Sequence, residues 1–151
     1  MRLVIFLGFL LLSIGISAEP AYTFYDEKDA SEFVGKAVIQ SDKGWYYVGE
    51  IKNGVPHGNG VKIANEGMVL YGEWVDGELG GEGAIYTPAP FNALEAGTYK
   101  KNKILGEGVV IIGGEAYQGP YGRLGLPDGE GVCIKAGVKK VCTYDHGAKI
   151  E

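Results

Sequence analysis

Two histidines, two cysteines and a recurring set of glutamates are the side chains of this sequence that could do chemistry. An imidazole beside a nucleophile, or a matched pair of carboxylates, would support acid–base or covalent catalysis. Several His, Cys or carboxylate ligands at close spacing would hold a metal. His57 stands alone in NGVPHGNG, with no nucleophile to partner it. His146, in YDHG near the C-terminus, is expected to be solvated rather than a ligand. Cys133 and Cys142 bracket CIKAGVKKVC, a spacing that suits neither a redox Cys-x-x-Cys pair nor a zinc site. Glu82, Glu107 and Glu130 each sit inside a Gly-x-Gly, and Glu50 and Glu73 each follow a glycine. They recur because the pattern around them recurs, so they read as polar, solvent-facing residues; a carboxylate ladder attracting cations is the alternative. GEGVVIIGG lacks the strand-to-helix setting of a phosphate loop. No catalytic residue, metal site or cofactor is expected, and the chain reads as non-enzymatic.

The elements that carry these residues are set by a lattice of glycines. Gly-x-Gly pairs occur at Gly58/Gly60, Gly81/Gly83, Gly106/Gly108 and Gly129/Gly131, each preceded by a further glycine at Gly49, Gly72, Gly97 or Gly119. Self-similarity at this period marks a repeat array. Two residues after the leading glycine comes Ile51, Trp74, Tyr99 or Tyr121, and then Gly54, Gly77, Asn102 or Gly125. Asn is the next best residue to glycine at positive φ, so Asn102 fits a turn. YYVGEI and VLYGEW alternate, which predicts strands with Tyr47, Gly49 and Ile51 on one face and Leu70, Gly72 and Trp74 on one face. The glycine between two large residues leaves room for a ring from the next strand to lie on the backbone. NGVPHGNG and LGLPDGEG are expected to be the connectors between strands. Half units precede and follow four full ones, from Gly35 to Gly49 and at VCTYDHG.

YVGEIKNGVPHGNG and YGEWVDGELGGEG resemble MORN repeats (membrane occupation and recognition nexus), whose pattern runs roughly Tyr-x-Gly-x-aromatic-x-x-Gly-x-x-His-Gly-x-Gly. The family histidine is present as His57 and replaced by Gly80, Leu105 and Asp128 in the other units. The second unit carries the insertion TPAPFNALEA, and the fourth has one extra residue in GPYGRLGLPDG. The resemblance implies an all-β fold: an elongated single-layer antiparallel sheet of successive hairpins. It also implies a structural role for His57 at a turn.

The N-terminus MRLVIFLGFLLLSIGISAEP has the form of a secretory signal peptide, with Arg2, an apolar run from Leu3 to Ile16 and a cleavage site near Ala18. The run is shorter than the roughly 20 residues of a membrane-spanning helix, which disfavours an uncleaved anchor. The domain reading is signal peptide 1–18, lead-in 19–34 and repeat array 35–151. A secreted or periplasmic location follows, and in that oxidising setting Cys133 and Cys142 are expected to form a disulfide across a hairpin, with free thiols as the alternative. In the lead-in, Asp29 to Phe33 reads as a short helix, and Tyr22, Phe24, Tyr25 and Phe33 as cover for the first sheet edge.

Formal net charge is −5, and loss of Arg2 with the leader makes it more negative and leaves Arg123 as the remaining arginine. That balance argues against nucleic acid and against anionic lipid. The candidate contact residues are aromatic: Tyr47, Trp74, Tyr99 and Tyr121 (with Tyr144) along one sheet face, Trp45 and Tyr46 at its start, and Phe91 in the insertion Pro88–Leu94. The motif rings either bind or simply pack between hairpins. A protein partner is the leading reading. Lipid (through Lys100, Lys101, Lys103, Lys139 and Lys140) and glycan (through ring stacking) are the alternatives, along with an inhibitor or immunity-type role. Nothing fixes the oligomeric state.

Overall fold

Pairs of residues with positive φ set the geometry of this chain: Asn53-Gly54, Asp76-Gly77, Lys101-Asn102, Gly113-Gly114, Ala136-Gly137 and His146-Gly147. Two such residues in succession make the mirror-image turn whose twist matches that of antiparallel strands. Each therefore closes a tight hairpin. The structure, a computed structural model, describes residues 22–150. The expected signal peptide and its expected cleavage site lie outside the described residues. Among the described residues no helix is long and apolar enough to cross a membrane.

The strands are β1 (Thr23–Asp26), β2 (Val34–Gln40), β3 (Tyr46–Lys52), β4 (Val55–Ile63), β5 (Val69–Val75), β6 (Glu78–Thr87), β7 (Ala93–Lys100), β8 (Lys103–Ile112), β9 (Glu115–Tyr121), β10 (Gly129–Lys135), β11 (Val138–Asp145) and β12 (Ala148–Lys149). They form one 12-stranded sheet in sequence order. The all-β single-layer sheet of successive hairpins is thus the observed fold. One pairing departs from the antiparallel rule: β1 runs parallel to β2. The expected helix at Asp29–Phe33 is absent; a single 3-10 turn occupies Glu27–Asp29 instead. The first edge is covered by a strand, while Tyr25 and Phe33 stack at 4.7 Å.

NGVPHGNG and LGLPDGEG are not connectors along their whole length, as the sequence suggested. Asn53-Gly54 is the turn, and Val55 onward is β4. Gly49 pairs with Gly60 but Ile51 pairs with Pro56, so the second strand bulges through His57, Gly58 and Asn59. The same shift recurs between the Gly72/Gly83 and Trp74/Leu79 pairs and between the Gly97/Gly108 and Tyr99/Ile104 pairs. The Gly-x-Gly signature therefore marks a bulged strand. LGLPDGEG likewise enters β10 at Gly129.

The turns on the bulged edge are tied to one another. Gly54 N–H donates to Phe33 O, Gly77 N–H to Pro56 O and Asn102 N–H to Leu79 O, at 3.3, 2.9 and 3.1 Å. Turns on the other edge bond within themselves: Gly44 to Ser41, Gly67 to Ala64, Phe91 to Pro88.

Cys133 and Cys142 lie on the same face of β10 and β11 with their sulfurs at disulfide distance and Cα atoms 5.8 Å apart. Replacing both with alanine is expected to cost about 2–3 kcal/mol, from the chain entropy of the closed loop. A urea titration of the double variant against the oxidised protein measures this, and amide exchange should quicken mainly in β10 to β12.

Candidate binding surface

The pleat sorts the side chains onto two faces. On the first, Tyr47, Trp74, Tyr99, Tyr117 and Tyr121 are buried, with Ile39, Ile51, Leu79, Ile104, Cys133 and Cys142. The Tyr47, Tyr99, Tyr117 and Tyr121 rings each lie against a glycine of the neighbouring strand. A methyl group at Gly60 would overlap the Tyr47 ring, one at Gly108 would come within 2.8 Å of the Tyr121 ring, and one at Gly131 within 2.5 Å of Tyr117. Tyr47 and Trp74 meet edge to face at 5.4 Å. The polar tips of the rings are spent on backbone: Trp74 Nε1 donates to Gly60 O (3.0 Å), Tyr47 Oη to Glu50 O (3.0 Å) and Tyr117 Oη to Pro120 O (3.1 Å). Tyr121 Oη and His57 Nδ1 have no partner among the described residues.

Tyr47, Trp74, Tyr99 and Tyr121 are therefore packing residues of the ring face, and little of them reaches solvent. Burial pushes the Tyr47, Tyr99 and Tyr121 hydroxyls well above the ordinary phenol range; Glu50 adds to this at Tyr47, and Glu95 at Tyr99 and Tyr121. A folded pKa above the unfolded one means the neutral rings support the fold below about pH 10 and that this support is lost as pH rises further. Absorbance at 295 nm is expected to resolve freely ionising tyrosines from a buried set. The buried set should titrate only as the circular dichroism of the sheet is lost.

The other sequence candidates are accessible. Trp45 is half-buried, with the Lys62 ammonium 4.3 Å from its ring centre. Tyr46 and Phe91 are exposed. Tyr46 pairs across from Ile63, whereas Phe91 sits in the turn between β6 and β7, so the two are two hairpins apart on the same edge.

The second face holds what the sequence reading passed over. The register aligns Val38, Val48, Val61, Tyr71, Ala84, Ala96 and Val109 in one row across successive strands. Beside it runs a second row through Tyr46, Ile63, Val69, Tyr86, Leu94 and Ile111. Tyr46, Ile63, Tyr71, Tyr86, Leu94 and Ile111 are exposed. On the other flank of the first row stand Glu50, Glu73, Glu82, Glu107 and Glu130, paired across strands with Lys36, Asn59, Thr98, Pro120 and Thr143. No glutamate of this row forms an ion pair among the described residues; those present join Glu115 to Lys135 and Lys149, and Asp145 to His146.

A third grouping lies at the last hairpin, where ligand atoms of Asp128, Asp145 and His146 fall within 4.8 Å of one another. The sequence reading missed it because Asp128 comes from a different loop. The Asp145 carboxylate, hydrogen-bonded to the ring, and the nearby Asp128 raise the His146 pKa, which favours the imidazolium over a metal-binding imidazole. Two open grooves remain, one beside Gln40–Lys43, where the Ser41 hydroxyl donates to Glu27 Oε2 at 2.6 Å, and one beside Leu79, Tyr99 and Lys100.

No curated protein matches the chain. Two stretches, residues 47–69 and 71–86, match the family model of the MORN repeat.

Proposed function

We propose that this protein is a non-enzymatic repeat module, secreted or periplasmic, that binds another protein. The observation that carries the reading is the one-layer sheet itself: its ring face is consumed by internal packing, and its other face carries one largely exposed apolar row and, between it and a row of glutamates, a second that is half-buried apart from the exposed Tyr71. Contiguous exposed apolar surface of this kind marks interaction sites. MORN repeats, matched over residues 47–69 and 71–86, are known for protein and membrane interaction. The cysteine pair at disulfide distance fits an oxidising compartment. Acidic net charge favours a protein over an anionic bilayer.

The test is affinity capture from envelope extract with the tagged, oxidised protein as processed by the expressing cell, read by mass spectrometry. One stoichiometric protein partner is the expected result. A blank with folded bait, together with flotation on vesicles or retention on polysaccharide, would overturn the reading.

A further inference from the structure

The chemistry of the exposed face specifies its partner more closely. Across β5 to β8, Tyr71 and Val109 belong to one apolar row, and Tyr86 and Leu94 to the other. Neighbouring rows on a face are two residues apart along each strand, roughly 7 Å. An extended chain lying across the strands covers one such row. A helix, about 10 Å in diameter, covers both and places its flank over the glutamates.

The glutamates also carry a spacing. Glu73, Glu82 and Glu107 stand on β5, β6 and β8, so they succeed one another at about 5 and about 10 Å, given about 4.8 Å between strands. Those steps are the rise of about three and about seven helical residues. Positions i, i+3 and i+10 fall on one stripe of an α-helix. Glu73 and Glu107 are exposed, without an ion-pair partner among the described residues, and Glu82 accepts a hydrogen bond from Thr98. Sheet twist of roughly 20–25° per strand turns the face away after four or five strands, which limits a straight helix to about 13 residues of contact.

We propose that the β5–β8 part of this face docks an amphipathic α-helix of a partner protein, with aliphatic side chains on the two rows and Lys or Arg at i, i+3 and i+10 over Glu73, Glu82 and Glu107. This rests on the binding-module reading above and assigns it a surface and a partner chemistry.

The experiment uses two fluorescein-labelled synthetic helices of about 20 residues, each with a leucine stripe. One carries lysine at i, i+3 and i+10, the other glutamate. Anisotropy against the processed, oxidised protein should show saturable binding of the lysine helix, at least about tenfold tighter than the glutamate helix and weakened by salt. The double variant Glu73→Lys/Glu107→Lys should reverse that preference, and Tyr71→Ser should weaken both helices; all of these side chains are exposed, so melting temperature checks that folding is intact. No saturable binding, equal affinity for both helices, or an unchanged preference in the charge-swapped variant would overturn the proposal. So would flotation on zwitterionic vesicles abolished by Tyr71→Ser, which would assign the rows to a membrane. A natural partner captured equally well by wild type, Glu73→Lys/Glu107→Lys and Tyr71→Ser would sink this surface while leaving the binding module standing.

Discussion

Trp74→Ala is expected to destabilise the fold by about 4 kcal/mol, within the range for emptying a buried aromatic site. The indole is buried and meets Tyr47 edge to face at 5.4 Å. The sheet has a single layer, so no second layer can collapse into the space. Its Nε1–H also donates to Gly60 O at 3.0 Å, and that bond would be lost. Trp74→Phe separates the two terms: it keeps most of the packing and forfeits the hydrogen bond, and should cost about 1–2 kcal/mol. Urea midpoints followed by far-UV circular dichroism measure both variants. A loss below about 1 kcal/mol for Trp74→Ala would mean that the ring is not part of the core.

Gly60→Ala carries the second large effect, about 3 kcal/mol, at the upper end for overpacking. The backbone at Gly60 is not in the left-handed region, so alanine meets no conformational penalty there. The penalty is steric: the added methyl would overlap the Tyr47 ring, which is itself buried and tethered through Oη to Glu50 O. Gly137 is the opposite kind of glycine. Its φ is +78° and a methyl would meet nothing within 4 Å, so Gly137→Ala should cost only the left-handed penalty of about 1–2 kcal/mol. Thermal melts of the two variants would rank them. Tyr47→Ala is costly in itself, but combined with Gly60→Ala the loss should fall short of the sum of the two, because the methyl then has somewhere to go, whereas Tyr47→Ala and Gly137→Ala should simply add. Strict additivity of Gly60→Ala and Tyr47→Ala would refute the ring-on-glycine contact.

The turns were legible because their chemistry is local. Asn-Gly, Asp-Gly and Lys-Asn announce positive φ within two residues, and the structure has it at each. The seat of the rings was legible for the same reason, since Gly49 and Gly60 face Tyr47 within one hairpin. Gly58 and Gly60 were misread because glycine serves two ends: it marks turns, and it also marks strands that a neighbouring ring must approach. The apolar face was missed for a geometric reason. Val48, Val61, Tyr71 and Ala84 each look unremarkable in their own strand, and the row they form runs across strands, where only the register can display it. Tyr47, Trp74, Tyr99 and Tyr121 drew attention as candidate contacts because aromatic residues stand out in a sequence, yet their size is what the one-sided core requires. The parallel pairing of β1 left no signal, because Thr23–Asp26 carries no turn joining it to its partner strand.

The bonds that link the turns on the bulged edge have an evolutionary consequence. Gly54, Gly77 and Asn102 each find an acceptor on the preceding unit, at Phe33, Pro56 and Leu79, and these recur in step with the repeat. Duplication or loss of one whole period would bring each turn onto an equivalent carbonyl, so this lineage can lengthen or shorten by units without refitting that edge. Fractional changes are another matter. In the fourth unit, where an extra residue enters the bulged-edge turn, Gly125 N–H bonds back to Gly122 O and the link to the unit before is gone. The longer insertion around Pro88–Asn92 falls on the opposite edge, where turns close on themselves and there is no such link to break. One margin of the ribbon is thus held to a fixed measure, and the other is free to acquire new loops.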